Sequence, residues 1–139
     1  MKRKRVLAVD DDVQATRIIK LGLERTGRYE VMELNQPDRA INAAHAFLPD
    51  LILLDVCMPG SEGVDLAFQI RADKQLQQIP VVFMTSLVSE QEAVGDGTED
   101  GAFHFVAKPV RLQRVIHCIE KSLETTTRTR PEPAPREQP

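Results

Sequence analysis

Polar residues with metal-binding or charge-bearing side chains stand at the ends of short apolar runs in this 139-residue chain. The residues in these positions are Asp10, Asp11, Asp12, Asp55, Thr85 and Lys108. The first run reads "VLAV" and is followed by "DDD", and a later run reads "LILL" and is followed by a single aspartate. Clustered carboxylates suit a hard divalent cation, although an acidic triplet taken alone is usually a solvated turn. The function of these acids therefore depends on whether the fold brings them together.

The apolar pattern predicts the elements that position these residues. Short apolar runs alternate with amphipathic stretches, and this alternation favours a parallel α/β sheet. The predicted strands, in chain order, cover residues 6–9, 29–34, 51–55, 79–86 and 103–107. Each is followed by a predicted helix with apolar residues at helical spacing. The predicted fold class is α/β, a flavodoxin-like doubly wound fold in which a five-stranded parallel sheet of order 2-1-3-4-5 carries helices on both faces.

Local signals predict where several of the helices and loops begin and end. The segment "NQPD" at 35–38 supplies a cap candidate and a proline suited to the first turn of helix two, and "MPGSEG" at 58–63 is predicted to be a loop. Ser89 and Glu92 form a capping box for helix four. Gly95 and Gly97 follow closely, and each costs about 1 kcal/mol relative to alanine inside a helix, so helix four is expected to be short.

The predicted sheet order brings the acidic residues together. In an open parallel sheet, ligands bind outside the carboxyl ends of the strands, near the point where the strand order reverses. Strands one and three are neighbours in the order 2-1-3-4-5, so at least three carboxylates converge there. Like charges about 4 Å apart repel by roughly 4 kcal/mol per pair at an effective dielectric of 20. Such a cluster is expected to raise a carboxyl pKa or to bind a cation, with Mg²⁺ as the natural candidate.

Composition and length narrow the class of protein. The formal net charge of −3 gives no basic footprint for nucleic acid, and no apolar run approaches the roughly 20 residues of a membrane span. We therefore expect a cytoplasmic protein without direct nucleic-acid binding. Residues 1–124 are predicted to form one domain. Residues 125–139 contain no aromatic residue and no aliphatic residue larger than alanine, so they are predicted to be a disordered tail or linker.

Four segments give the chain a family resemblance. The segments "VLAVDDD", "PDLILLDVCMPGSEG", "VVFMTS" and "GAFHFVAKPV" stand in this order at the ends of four different predicted strands. Together they resemble the receiver domain of bacterial two-component response regulators, over residues 4 to about 124. Each segment alone is a weak signal, whereas the ordered set is specific.

The resemblance implies a role for each site residue. Asp55 corresponds to the phosphoacceptor, and Asp10, Asp11, Asp55 and the backbone carbonyl of Cys57 correspond to the Mg²⁺ ligands. Asp12 lies behind these ligands, and Lys108 supplies positive charge. The implied phosphoryl donor is a sensor histidine kinase or a phosphotransfer protein. The implied activity is self-catalysed phosphotransfer, and the chain is not expected to be an enzyme acting on an external substrate.

The same resemblance implies a switch. Thr85 corresponds to the hydroxyl drawn toward the phosphoryl group, and Phe105 to the aromatic residue that turns inward. Their movement would reshape the surface formed by helix four, strand five and helix five, through which a downstream protein partner or a homodimer would bind. Lys108-Pro109 resembles the family's cis peptide. Ser86 and Val110, together with the two glycines in helix four, depart from the family pattern.

Two hypotheses follow from individual residues. Phe105 has no hydroxyl, which favours an inward ring even before phosphorylation. Cys57 and Leu87 stand two residues beyond Asp55 and Thr85, and neither positions water well, so slow self-dephosphorylation is expected. His45, His104 and His117 lack metal-ligand spacing and are predicted to be structural or surface residues.

Two other functions stay open at the level of sequence. A small phosphohydrolase of the haloacid dehalogenase type also uses an aspartate nucleophile, Mg²⁺, a strand-end hydroxyl and a lysine, and its nucleophile would be Asp10. That interpretation leaves "LILLDVCMPG" unexplained, and a later acidic pair is missing. A receiver kept only as a phosphorylation-independent docking module is the second alternative, which the altered helix four keeps open.

Overall fold

Five parallel strands form the centre of the computed structural model, which describes residues 2–58, 61–85, 103–108 and 110–129. The strands are β1 (Lys4–Val9), β2 (Tyr29–Leu34), β3 (Leu51–Asp55), β4 (Val81–Thr85) and β5 (Phe103–Ala107). They lie in the order β2-β1-β3-β4-β5, and every neighbouring pair is parallel. The predicted fold class and strand order are therefore confirmed.

Helices connect the strands and cover both faces of the sheet. They are α1 (Val13–Arg25), α2 (Ala40–Phe47), α3 (Gly63–Ala72) and a C-terminal helix (Leu112–Thr129). The C-terminal helix is helix five of the sequence prediction. The predicted helix four, with Ser89, Glu92, Gly95 and Gly97, lies outside the described residues. No helix in the described part of the chain has the length and apolar character needed to span a membrane.

The hydrophobic core lies in two layers, one on each face of the sheet. Ile19 and Leu23 of α1 pack with Val115 and Ile119 of the C-terminal helix on one face. α2 and α3 supply the other face with small and aliphatic residues, including Ala44 and Ile70. Because β3 and β4 are covered on both sides, every residue in them is buried. This burial explains why their sequences read as unbroken apolar runs rather than as alternating patterns.

Two local expectations about the loops are wrong. Part of the segment predicted as a loop after β3 pairs into a short antiparallel hairpin, in which Cys57–Met58 lies against Ser61–Glu62. No side chain of the "NQPD" segment caps helix two, because Pro37–Arg39 forms a 3₁₀ turn before α2 and neither element has a side-chain cap. The Asn35 side chain is instead bonded to the backbone of Asp10.

The last helix extends past the predicted end of the domain. The tail is predicted to start at residue 125, whereas the helix continues to Thr129. Once a helix has formed, each added residue gains one backbone hydrogen bond, so a short threonine-rich stretch can continue it. Residues 130–139 lie outside the described part of the chain, and the domain boundary at 124 stays a prediction.

Candidate metal and phosphoacceptor site

The predicted site residues meet at the carboxyl edge of the sheet. Asp10 follows β1 directly, Asp55 and Thr85 are the last residues of β3 and β4, and Lys108 follows β5 directly. Four neighbouring strands therefore deliver one polar residue each to the same edge. The parallel arrangement is the cause, since all the carboxyl ends of parallel strands point the same way.

Three carboxylates form a compact acidic cluster at this edge. One carboxylate oxygen from each of Asp10, Asp11 and Asp55 lies within 4.8 Å of the other two. Asp10 and Asp55 are 1% and 3% exposed, whereas Asp11 is open to solvent. In the part of the chain that the structure describes, this is the single group of three or more His, Cys, Asp or Glu residues with metal-binding geometry.

Burial gives Asp10 an unusual pKa. Removal from water raises the pKa of Asp10 from 3.8 to about 6; a hydrogen bond from the Asp12 amide lowers it in part, and the negative charge of Asp55 adds to the rise. The Asp10 Oδ2 atom is buried and accepts no hydrogen bond from the described residues. A buried carboxylate oxygen without a donor is costly, and a cation beside it would remove that cost.

Lys108 supplies positive charge from the β5 side of the crevice that lies outside the carboxyl ends of the strands. Its Nζ donates to Asp55 Oδ1 at 3.0 Å and lies 3.7 Å from Asp10 Oδ2. Partial burial lowers the pKa of Lys108, but the hydrogen bond to Asp55 and the charge of Asp10 outweigh this and raise the pKa above its ordinary value. The lysine is therefore charged at neutral pH and partly balances the acids.

Asp12 has a different role from its two acidic neighbours. Its side chain caps α1, accepting from the amides of Gln14 at 3.0 Å and Ala15 at 3.4 Å. Its own amide donates to Asp10 Oδ1 at 3.0 Å. These bonds explain why the acidic triplet divides into two potential ligands and one helix cap. The position of Asp12 behind the metal ligands stays a prediction.

Gly63 permits the close packing that places Asp55. A Cβ atom at Gly63 would lie 2.2 Å from the Asp55 carbonyl oxygen and 2.9 Å from the Cα of Val56. The Gly63 amide also donates to the Val56 carbonyl at 3.1 Å. The start of α3 thus lies directly against the end of β3, and any side chain at this position would push the backbone of Asp55 away.

The two predicted switch residues lie on the β4 and β5 side of the crevice. Thr85 is buried at the end of β4, and its carbonyl accepts from the Lys108 amide at 3.0 Å. Phe105 is half-buried and stacks on Phe83, with ring centroids 5.4 Å apart and an angle of 23° between the rings. A fully outward ring would count against the hypothesis of an inward Phe105, and the ring is not fully outward. The switch roles themselves stay predictions.

The structure says less about the positions of the remaining predicted residues. Cys57 lies in the short hairpin two residues beyond Asp55, and its role as a carbonyl ligand stays a prediction. Ser86, Leu87 and Pro109 lie outside the described residues, so the isomer of the Lys108-Pro109 peptide is not addressed. His45 bonds to Asp73 through Nε2 at 2.7 Å, away from the acidic cluster, as expected for a structural histidine.

A comparison with known protein families matches most of the chain. A family model described as the response regulator receiver domain matches residues 6–120 of the chain. The chain belongs to this family. The receiver domain is thus a module of two-component signalling, and this assignment speaks against the haloacid dehalogenase alternative, in which Asp10 is the nucleophile.

Individual relatives agree with the family assignment. The receiver domain is similar to the phosphate regulon transcriptional regulatory protein PhoB of Pseudomonas aeruginosa, with 31% identity over 126 residues, 91% of this chain and 54% of the relative. It is also similar to the DNA-binding response regulator MtrA of Mycolicibacterium smegmatis, with 30% identity over 95% of this chain and 54% of that protein. The chain therefore spans about half the length of the curated relatives it matches.

Solved structures support the same fold. The chemotaxis protein CheY4 of Vibrio cholerae superimposes with a TM-score of 0.75 at 25% identity, covering 87% of this chain and 99% of that one. The acidic cluster of the receiver domain also fits the Mg²⁺ that is typical of the family, because it offers hard oxygen donors and a buried oxygen without a hydrogen-bond donor.

Proposed function

We propose that the receiver domain accepts a phosphoryl group on Asp55 from a phosphohistidine of a sensor histidine kinase or a phosphotransfer protein. Asp10, Asp11, Asp55 and the backbone carbonyl of Cys57 would hold Mg²⁺. The observation that carries the proposal is the meeting of three carboxylates and the Lys108 amine at one edge of the sheet. Asp55 lies at the centre of this arrangement, since it belongs to the acidic cluster and also accepts from Lys108.

The chemistry needs few groups from the protein. An Asp55 carboxylate oxygen attacks the phosphorus in line, a P–O bond forms, the P–N bond to the donor imidazole breaks, and the imidazole takes up a proton. When bound, Mg²⁺ neutralises charge on the phosphoryl oxygens. Lys108 changes partner from the Asp55 carboxylate to a phosphoryl oxygen, and its flexible stem permits this movement. Asp10 and Asp11 stay in place, and their carboxylates would continue to bind the cation.

We propose that phosphorylation changes the surface on the β4 and β5 side of the receiver domain. A phosphoryl group on Asp55 offers strong acceptor oxygens to the Thr85 hydroxyl. Movement of Thr85 opens the space in which an inward Phe105 ring is held, and the surface formed by the predicted helix four, β5 and the C-terminal helix changes shape. A downstream protein partner or a second copy of the chain would bind there. The expected lack of direct nucleic-acid binding and the cytoplasmic location both stay predictions.

The phosphoryl group is expected to be long-lived. The basis is the sequence alone, because the Cys57 side chain and Leu87 are not among the features that the structure describes. A lifetime of seconds in purified phosphorylated protein would contradict slow self-dephosphorylation, while leaving the phosphoacceptor role intact.

The direct test is incubation of the purified chain with acetyl phosphate, with and without Mg²⁺, followed by mapping of the modified residue by mass spectrometry. We expect Mg²⁺-dependent label on Asp55 and none in Asp55→Asn. Label on Asp10 would favour the hydrolase alternative instead. A folded chain that takes up no label would favour the docking module.

A further inference from the structure

Four side chains form a continuous chain of hydrogen bonds behind the acidic cluster. Asn35, which follows β2, donates through Nδ2 to the Asp10 carbonyl at 2.7 Å and to Thr16 Oγ1 at 3.0 Å. Thr16 Oγ1 lies 3.0 Å from Glu33 Oε1, and Arg17 Nε donates to Glu33 Oε2 at 3.0 Å. We call these four residues the Asn35 chain. It runs from the exposed surface of α1 to the backbone of Asp10, the first residue of the acidic loop Asp10–Asp12.

The direction of each bond follows from the atoms present. A carbonyl oxygen only accepts, so the Asn35 atom beside Asp10 must be the amide nitrogen, and both of its hydrogens are in use. Thr16 accepts one of them and has its own hydroxyl hydrogen for the Glu33 carboxylate, with the Val13 carbonyl also 3.1 Å away. Thr16 is fully buried, so these bonds are shielded from water and are difficult to replace.

The bond from Asn35 to Asp10 completes the fixation of the acidic loop. The Asp10 amide donates to the Leu34 carbonyl at 3.1 Å, and its carboxylate accepts from the Asp12 amide. Asn35 holds the other main-chain polar group of Asp10, its carbonyl. The main-chain amide, the carbonyl and one carboxylate oxygen of Asp10 are therefore all held by neighbours, and the remaining oxygen, Oδ2, lies on the side facing Lys108.

We propose that Asn35 is a positioning residue for the metal site. Its two N–H groups lock the Asp10 backbone between the end of β2 and α1, so that the Asp10 and Asp11 carboxylates are set for the cation before it arrives. This inference rests on the proposed function, since it assigns a role to Asn35 in Mg²⁺ binding by the same cluster. Partners behind metal ligands often affect metal affinity by roughly ten- to a hundredfold, because they fix ligand orientation.

The test compares Asn35→Leu with the unaltered chain and with Asn42→Leu. Both variants replace an amide by a side chain of similar size, but Asn42 lies exposed on α2. Asn35→Ala is measured beside them, because it removes the same donors without adding apolar bulk. The readouts are the Mg²⁺ dissociation constant from NMR titration, the exchange rate of the Asp12 amide in EDTA, and the urea midpoint in EDTA.

We expect both Asn35 variants to bind Mg²⁺ about tenfold more weakly, at the lower end of the usual range for such partners. We also expect faster exchange at the Asp12 amide in the absence of metal. Asn42→Leu should bind Mg²⁺ within about twofold of the unaltered chain, as expected for a surface change away from the site.

Thr16→Val separates positioning from general stability. It removes the middle of the Asn35 chain but leaves the bond from Asn35 to the Asp10 carbonyl. We expect a lower urea midpoint with Mg²⁺ affinity within about twofold of the unaltered chain, because the partly buried Glu33 and Asn35 groups lose a partner while Asp10 stays held. A loss of Mg²⁺ affinity in Thr16→Val as large as in Asn35→Leu would overturn the proposal.

Unchanged Mg²⁺ affinity in both folded Asn35 variants would also overturn it and would leave the proposed function intact. Failure of the unaltered chain itself to bind Mg²⁺ is a different result. It would reject the metal site and, with it, the role of Asn35.

Discussion

The two sides of the crevice are built in different ways. On the β1 and β3 side, the carboxylates of Asp10 and Asp55 are buried, and hydrogen bonds and backbone packing fix the chain around them. On the β4 and β5 side, the Lys108 side chain is 32% exposed and reaches across by contacts with those same carboxylates. The negative half of the site is therefore rigid, whereas the positive half is a flexible arm.

This difference suits a site whose charge changes during its function. Carboxylates fixed in advance need little reorganisation when a cation binds, which strengthens their effect. A lysine held mainly by charge can leave Asp55 when a phosphoryl group offers it new acceptors. The comparison predicts that changes on the rigid side alter stability and metal binding strongly, and that changes on the flexible side shift affinities modestly.

The largest effect is expected from Gly63→Ala on the rigid side. The added methyl group would meet the backbone of Asp55 and Val56, which cannot move without displacing β3. We expect a loss of about 3 kcal/mol in the free energy of unfolding, typical of severe overpacking, together with loss of Mg²⁺ binding. Urea denaturation and Mg²⁺ titration measure both.

Gly22→Ala is the matched control for this substitution. The three atoms nearest to its methyl group would all belong to the Leu112 side chain, at 2.7, 2.8 and 3.2 Å, and a flexible side chain can adjust. The gain of about 1 kcal/mol in helix propensity offsets the crowding, so the net change should stay within about 1 kcal/mol. Equal losses in the two variants would contradict the special role of the backbone contact at Gly63.

Asp10→Asn is expected to change the pH dependence of stability, by nearly as much as Gly63→Ala changes stability itself. The pKa of Asp10 is raised to about 6 in the folded chain, so the folded state binds more protons than the unfolded state between about pH 4 and 6. In EDTA, the free energy of unfolding of the unaltered chain should therefore fall as the pH rises through this window. Asp10→Asn should not show this fall, so the difference in stability between the two proteins should change by about 3 kcal/mol. Above about pH 7, one unit beyond the folded-state pKa of Asp10, the difference should be constant.

Urea denaturation in EDTA at pH 4, 5, 6 and 7 measures this difference. Addition of Mg²⁺ at pH 7 should restore stability to the unaltered chain and have little effect on the variant. Parallel pH profiles for the two proteins would show that Asp10 does not carry the buried charge.

A smaller effect of opposite direction is expected from Lys108→Met on the flexible side. Removing a positive charge beside the acidic cluster should strengthen Mg²⁺ binding, because the cation no longer competes with the amine for Asp55. Partial exposure screens the interaction to about 1 kcal/mol, which corresponds to roughly fivefold in affinity. NMR titration with Mg²⁺ measures it, and weaker binding in the variant would contradict the assignment of Lys108 as a competing charge.

The smallest change is expected at Phe105. Because its ring already stacks on Phe83, phosphorylation should shift the ring population little. Chemical shifts of the Phe105 ring protons, compared before and after treatment with beryllofluoride and Mg²⁺, measure this population. A large upfield movement on activation would show that the ring starts outward and would reject the hypothesis of an inward Phe105.

The sequence is sufficient for the sheet and for the acids because both depend on simple patterns. The bounds predicted for β2, β3 and β5 from their largely apolar runs are the bounds that the structure has. The parallel sheet then requires the polar residues after those runs to share one edge. Neither inference depends on a detail of side-chain packing, which explains why both could be made from one chain.

Features that depend on distant contacts could not be predicted. Asn35 before Pro37 fits a helix cap as well as it fits a donor to Asp10, and only the distance between the ends of β1 and β2 decides between them. Gly63 looks like an ordinary loop glycine, because the backbone of Asp55 against it is not visible in the local sequence. The signals were present as an asparagine directly after β2 and a glycine at the start of α3.

The most direct test of a metal site at the acidic cluster is a titration with Mg²⁺, followed residue by residue by NMR. We expect saturable shifts centred on the amides of Asp10, Asp11, Asp55 and Val56, with binding weakened in Asp10→Asn. An absence of saturable shifts there, or shifts that are the same in Asp10→Asn, would contradict it.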